Sequence, residues 1–141
     1  MIAYLDSSAL VKMVVPEAGT EFVRRAWNRA SERAASMLGY TDLRAATAAA
    51  RRAGRIPAAD LPHVPGHIEH LWSRLAIVSL DERLVRDAGA LAERHGLRAL
   101  DAIHLASAQR IASGPTAFVA FDARLREAAA AEGLIVLPEP A

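Results

Sequence analysis

Short apolar runs alternating with helical stretches along 141 residues predict an α/β fold, a parallel sheet covered by helices on both faces. Two further observations support that class. Five of the runs are only about four to six residues long and apolar nearly throughout, the pattern of strands buried on both sides. No repeat or low-complexity segment interrupts the alternation. At 52% hydrophobic residues, a chain of this length makes one domain over residues 1–141 with a sizeable core.

Residues 2–5 are apolar and end at Asp6-Ser7-Ser8, the length and boundary of a buried strand. A helix starts at Ser7 or Ser8 and carries Ala9, Leu10, Met13 and Val14 at helical spacing until Pro16. Residues 20–33 form a second amphipathic helix through Phe22, Val23, Ala26 and Trp27, and residues 34–38 a weaker second strand. An Ala/Arg helix follows over 41–53, with Gly54 in the usual stop position. Pro57, Pro62, Pro65 and Gly66 then interrupt residues 55–70, where a broken helix or a helix and loop is expected. Helical spacing resumes over 68–75, and residues 76–80 make a third strand. Asp81 caps a helix running to His95 and Gly96. Residues 99–111 are a further helix, 116–121 a strand ending at Asp122, 124–131 a short helix and 134–137 the last strand.

Composition narrows the function classes. The chain has no cysteine, which excludes disulfides and thiolate zinc sites and fits a reducing cytoplasm. No stretch approaches the roughly 20 apolar residues of a membrane span. The apolar start lacks a basic leader, and Asp6 and Lys12 interrupt it, so no secretion signal is expected. A soluble cytoplasmic protein is the expectation. Net charge is +1, so any affinity for nucleic acid must come from local placement of cations.

Four aspartates stand at element boundaries. Asp6 follows the first strand and Asp122 the fourth, and in open parallel sheets chemistry gathers beyond the strands' carboxyl ends. Either could instead only cap the next helix. Asp42 lies near a helix start, where an acid complements the helix dipole. Asp101 shares a helix face with Leu97, Leu105 and Ala108, and that helix is apolar nearly all round. A carboxylate so placed costs several kcal/mol unless something compensates it, a first-turn cap being one way. Two carboxylates about 5 Å apart repel by roughly 3 kcal/mol at an effective dielectric near 20, so four converging acids call for a cation. All-oxygen ligands favour Mg2+, or Mn2+, over zinc.

Four segments carry a resemblance: Tyr4-Leu5-Asp6-Ser7-Ser8-Ala9-Leu10-Val11-Lys12, Tyr40-Thr41-Asp42-Leu43-Arg44-Ala45-Ala46, Leu100-Asp101-Ala102-Ile103-His104-Leu105-Ala106 and Phe121-Asp122-Ala123-Arg124-Leu125. In order and spacing the chain resembles the PIN domain, and more narrowly the VapC toxins of bacterial toxin-antitoxin pairs. The resemblance implies a three-layer fold whose parallel five-stranded sheet has the order 3-2-1-4-5. It implies a Mg2+-dependent endoribonuclease that cuts transfer or ribosomal RNA to arrest growth. It also implies a homodimer and a VapB-type antitoxin that blocks the site and alone brings the complex to DNA. By position, Asp6, Asp42, Asp101 and Asp122 correspond to the acidic quartet, with Ser8 a supporting hydroxyl near the metal. Asp6 and Asp101 would hold the ion, and Asp42 and Asp122 would complete the site directly or through water. Two departures stand out: Asp42 replaces a usual glutamate, and Ala120 replaces a frequent hydroxyl residue.

Other candidates are weaker. His63, His67, Glu69 and His70 have metal-like spacing, but Pro65 and Gly66 fall inside it. His104, one turn after Asp101, could touch substrate or metal, or serve packing behind the acids. A phosphorelay receiver would need paired acids after the first strand and a late lysine, whereas the one lysine is Lys12. A PIN-like domain that binds RNA or a partner without cutting it would have no reason to keep four mutually repelling acids.

Overall fold

The computed structural model describes residues 1–139; the last two residues of the expected 1–141 domain lie outside the described residues. Strand β1 (Ile2–Leu5) is central, and the parallel sheet runs β3-β2-β1-β4-β5, with β2 at Glu32–Ser36, β3 at Ala76–Val78, β4 at Thr116–Val119 and β5 at Ile135–Leu137. From β1 the chain steps to β2 and β3 through α1 (Ser7–Val14), α2 (Thr20–Arg29), α3 (Leu38–Arg52) and α4 (Val64–Ser73). It then crosses to β4 and β5 through α5 (Glu82–His95), α6 (Ala99–Ile111) and α7 (Ala123–Ala131). Right-handed crossovers require helices on opposite faces when the direction of travel reverses. The core divides accordingly.

Alternation along the strands feeds the two halves. Ala3 and Leu5 of β1 pack with Leu10, Val23, Trp27, Leu43 and Ile68 on one face. Tyr4 packs with Leu84, Leu91, Leu105, Phe118 and Leu125 on the other. The Tyr4 and Phe118 rings stack with centroids 5.4 Å apart and an interplanar angle of 3°. Helix α6 buries six residues, which explains why its sequence is apolar nearly all round: α5 and the sheet both cover it.

Several element boundaries differ from the sequence expectation. Helix α2 stops at Arg29 rather than residue 33, and β2 already begins at Glu32. Arg33 is polar yet belongs to the strand, because its Nε donates to Trp27 O at 2.8 Å and its guanidinium lies 5.3 Å from the Trp27 ring centroid. Helix α3 starts at Leu38 rather than residue 41, with Ser36 Oγ accepting from the Leu38 backbone N–H at 3.2 Å. Asp42 is therefore in the second turn, beyond the first-turn orphan donors a helix-dipole role requires. In the 55–70 stretch a 3-10 turn, Leu61–His63, leads directly into α4. Pro65 falls in the first turn of α4, where its missing N–H costs nothing, so it opens the helix instead of breaking it.

Gly19 precedes α2 at φ +93°, and an added Cβ would sit 3.0 Å from Lys12 Cε and 3.1 Å from Phe121 Cε1. Gly96 ends α5 at φ +64° in nearly open space. Left-handed backbone costs an L-residue roughly 1–2 kcal/mol. Gly96→Ala is expected to lose about that much in urea denaturation, and Gly19→Ala more, because only there must neighbours also shift.

Candidate active site

The carboxyl edge of the sheet, beside the central strand where the strand order turns back, forms a cleft of about 500 Å³. Asp6, Asp42, Asp101 and Asp122 all line it, together with Ser7, Ser8, Arg98, Leu100 and His104. Four carboxylates face one guanidinium there, so the cleft is acidic in an otherwise balanced chain.

Asp6 is a helix cap and a cleft residue at once. Its Oδ1 accepts from the Ala9 backbone N–H at 3.0 Å and from Ser8 Oγ at 2.7 Å. Among the described residues its Oδ2 accepts no hydrogen bond. The residue is only 4% exposed. Burial pushes its carboxyl above the ordinary aspartate pKa, the Asp101 charge pushes the same way, and Ser8, His104 and the Ala9 N–H pull back. Asp122 caps α7 by the same arrangement, accepting from the Leu125 N–H at 3.0 Å. Each cap uses one carboxylate oxygen, Oδ1 of Asp6 and Oδ2 of Asp122.

Asp101 does not cap. Arg98 holds the N-cap position of α6 without a side-chain bond, and its Nε lies 3.5 Å from Asp101 Oδ2. Arg98 is largely exposed, so this pair leaves the guanidinium at the cleft rim. Asp42 reaches the cleft from α3, where its Oδ2 accepts from Ser7 Oγ at 2.6 Å and lies 3.9 Å from His104 Nε2. Those contacts, His104 first, hold its carboxyl below the ordinary range. His104 is buried at 2% exposure, with Nδ1 2.8 Å from the Tyr4 hydroxyl and Nε2 3.0 Å from Ser7 Oγ.

Among the described residues no three acidic or histidine side chains close into a group that grips a metal directly. Mg2+ is ordinarily held by one or two carboxylates and keeps several waters, so an open cleft lined by four carboxylates suits it. His67 and His70 line a separate groove between α2 and α4, and Glu69 instead accepts from the Tyr40 hydroxyl. Two further polar residues bear on the site, Ser7 in the cleft lining and Tyr4 buried behind it. Ser7 was overshadowed by Ser8, although the helix start at residue 7 puts both at the mouth of the cleft. Tyr4 carries the usable signal, since a hydroxyl in a strand buried on both sides needs a partner.

The fold and cleft define a class: a parallel α/β domain with an aspartate cluster at the carboxyl edge of its central strand. The sequence matches the PIN domain over residues 3–131, and the chain belongs to the PIN domain family. Within it the chain is of the VapC type. It is 34% identical over 137 residues to Ribonuclease VapC45 of Mycobacterium tuberculosis (strain CDC 1551 / Oshkosh), covering 97% of this chain and 95% of that relative. Its fold is similar to FitAcB from Neisseria gonorrhoeae, with a TM-score of 0.64 at 19% identity over 96% of each chain. It is also similar to VapBC2 from Rickettsia felis bound to a DNA fragment from their promoter, with a TM-score of 0.61 at 15% identity over 96% of this chain and 97% of that one. No helix among the described residues is long and apolar enough to cross a membrane.

The raised pKa of Asp6 makes its charge a cost to the metal-free fold. That cost is absent below the ordinary value of 3.8, where the group is protonated folded or unfolded, grows as pH rises above it, and is full beyond the raised folded-state value. Asp6→Asn keeps an acceptor for Ala9 and Ser8 and removes the charge. Without metal this variant is expected to melt above wild type at pH 7, by about 2–4 °C per kcal/mol relieved, with the gap closing toward pH 4. Calorimetric melting across pH checks this.

Proposed function

We propose that this chain is a divalent-cation-dependent endoribonuclease, the toxin of a toxin-antitoxin pair. The observation that carries the reading is the one cleft that Asp6, Asp42, Asp101 and Asp122 all line, where Arg98 is the one arginine or lysine among the lining residues. The ribonuclease names of VapC relatives over nearly the full chain support it.

In this reading Asp6 and Asp101 hold Mg2+ or Mn2+, and Asp42 and Asp122 complete the site directly or through water. When bound, such a cation supplies activation of water and offsets the charge that builds on phosphate during in-line displacement. The chain's own residues do the rest. Asp6 keeps Oδ2 open because Ser8 and the Ala9 N–H occupy Oδ1. Arg98, at the rim, meets an incoming phosphate, as arginine does with its planar donors. No side-chain nucleophile is needed.

The substrate class is RNA, with transfer or ribosomal RNA the expected targets. A VapB-type antitoxin is the expected partner, and DNA contact is expected only through it. The solved toxin-antitoxin complex from Klebsiella pneumoniae, with a TM-score of 0.63 to this fold, supports that class of partner. A homodimer and a cytoplasmic location complete the proposal.

Induced expression followed by RNA-end sequencing tests it. Wild type is expected to generate new RNA ends and arrest growth, and Asp6→Asn and Asp101→Asn to do neither while remaining folded. Full cleavage by either variant would overturn the site. A second measurement is independent of turnover. A cation at about 100 times its Kd adds about 2.7 kcal/mol to the folded state, so millimolar Mg2+ or Mn2+ should raise the melting temperature of wild type and not of Asp6→Asn.

A further inference from the structure

Behind the four acids, three hydrogen bonds link four elements: Tyr4 of β1 to His104 of α6, His104 to Ser7 of α1, and Ser7 to Asp42 of α3, at 2.8, 3.0 and 2.6 Å. Counting protons gives this chain a direction. Asp42 is an acceptor only, because a carboxylate carries no hydrogen to donate, and Ser7 Oγ donates to its Oδ2 at 2.6 Å. The one Ser7 hydroxyl hydrogen is therefore committed to Asp42 Oδ2, and toward His104 the Ser7 oxygen can only accept. His104 Nε2 must carry a proton to meet it.

The remaining ring nitrogen, Nδ1, faces the Tyr4 hydroxyl. If Nδ1 were also protonated, the phenol O–H would need another acceptor. The other hydroxyl near it, Ser107 Oγ, has no hydrogen-bond partner by distance and angle among the described residues, which leaves Nδ1 as the acceptor in place. The consistent assignment is Tyr4 O–H donating to Nδ1, Nε2–H donating to Ser7, and Ser7 O–H donating to Asp42. The far end is rigid, since Tyr4 is fully buried and stacked on Phe118.

We propose that Tyr4, His104 and Ser7 are positioning residues, a one-way relay that fixes the Nε2–H tautomer of His104 and holds the Asp42 carboxylate in one orientation toward the cation site. Asp42 Oδ2 is bound to Ser7, and Oδ1, which accepts no hydrogen bond among the described residues, is left for the cleft. Asp42 needs such a hold because its side chain is 31% exposed and otherwise free to rotate. It is also one methylene shorter than the glutamate expected at this place, so a rotated carboxylate has less reach to spare. The relay also gives the buried imidazole a use other than packing.

This proposal rests on the cation-dependent reading of the cleft, and two measurements separate the two. Long-range 1H–15N NMR of the metal-free wild type reads the His104 tautomer directly, and Nε2–H is expected. Ser7→Ala removes the acceptor for Nε2–H and leaves only the Tyr4 hydroxyl, which can donate or accept, so it is expected to give a mixture of tautomers, whereas Tyr4→Phe keeps Nε2–H. A ring protonated only at Nδ1, or doubly protonated at pH 7, would overturn the relay whatever the cleft binds. Mn2+ alone is then titrated calorimetrically into wild type, Ser7→Ala and Ser7→Thr. Losing a partner that orients a ligand typically costs 10–100-fold in metal affinity or activity. Ser7→Ala is expected to weaken Mn2+ by about 10-fold or more and lower kcat on RNA with KM unchanged, and Ser7→Thr to restore most of both. Wild-type Mn2+ affinity and kcat in Ser7→Ala would overturn the relay's role while leaving the ribonuclease reading intact. Failure of wild type to bind Mn2+ would overturn that reading and the positioning role, with the tautomer still decided by NMR.

Discussion

Asp6 is 4% exposed at the point where the central strand ends, and a carboxylate in that place has to be compensated from several directions. Isolated, such a charge would cost several kcal/mol. Ser8 Oγ and the Ala9 N–H bind one oxygen, and the first turn of α1 forms on that same cap. The compensation is incomplete, because burial and Asp101 still hold the carboxyl above its ordinary pKa. In the proposed reading that residual cost is what a bound cation would offset.

The sheet topology makes that edge concave. Neighbouring strands carry the chain away from β1 in opposite directions, so helices leave the carboxyl edge toward opposite faces, α1 from β1 on one side and α7 from beyond β4 on the other. The two capping aspartates stand on either side of that gap. Helix α6 enters it from one layer with Asp101 and His104, and α3 from the other with Asp42. Cleft and core share residues: His104 packs edge-on to Tyr4, with ring centroids 6.0 Å apart, and Tyr4 is a core ring of the α5–α7 layer. Site geometry and core packing are therefore coupled, and a change in the stack of Tyr4 on Phe118 would reach Asp42 through two intermediates.

Strand positions, the parallel class and the edge location of Asp6 and Asp122 were legible in the sequence because short apolar runs bounded by polar residues report burial directly. Boundaries failed where a residue's polarity misreports its place. Arg33 looks like a helix residue, but its stem and guanidinium lie along Trp27. Pro65 looks like a break, but in a first turn proline is neutral. The start of α3 was missed because Met37 at its N-cap offers no side-chain acceptor, and Ser36 supplies one from the strand.

By itself the sequence determined which acids exist, at which element boundaries they fall, and, through four spaced segments, the family to which the chain belongs. Those are properties of local pattern, where burial and helix phase repeat along the chain. Only the tertiary structure decided that Ser7 rather than Ser8 binds Asp42, that Tyr4 and His104 meet across 100 positions, and that Asp101 pairs with Arg98 instead of capping its helix. A hydrogen bond is made or lost over a few tenths of an ångström and a few tens of degrees. Placement at that scale is set by how α1, α3 and α6 pack against the two faces of one sheet.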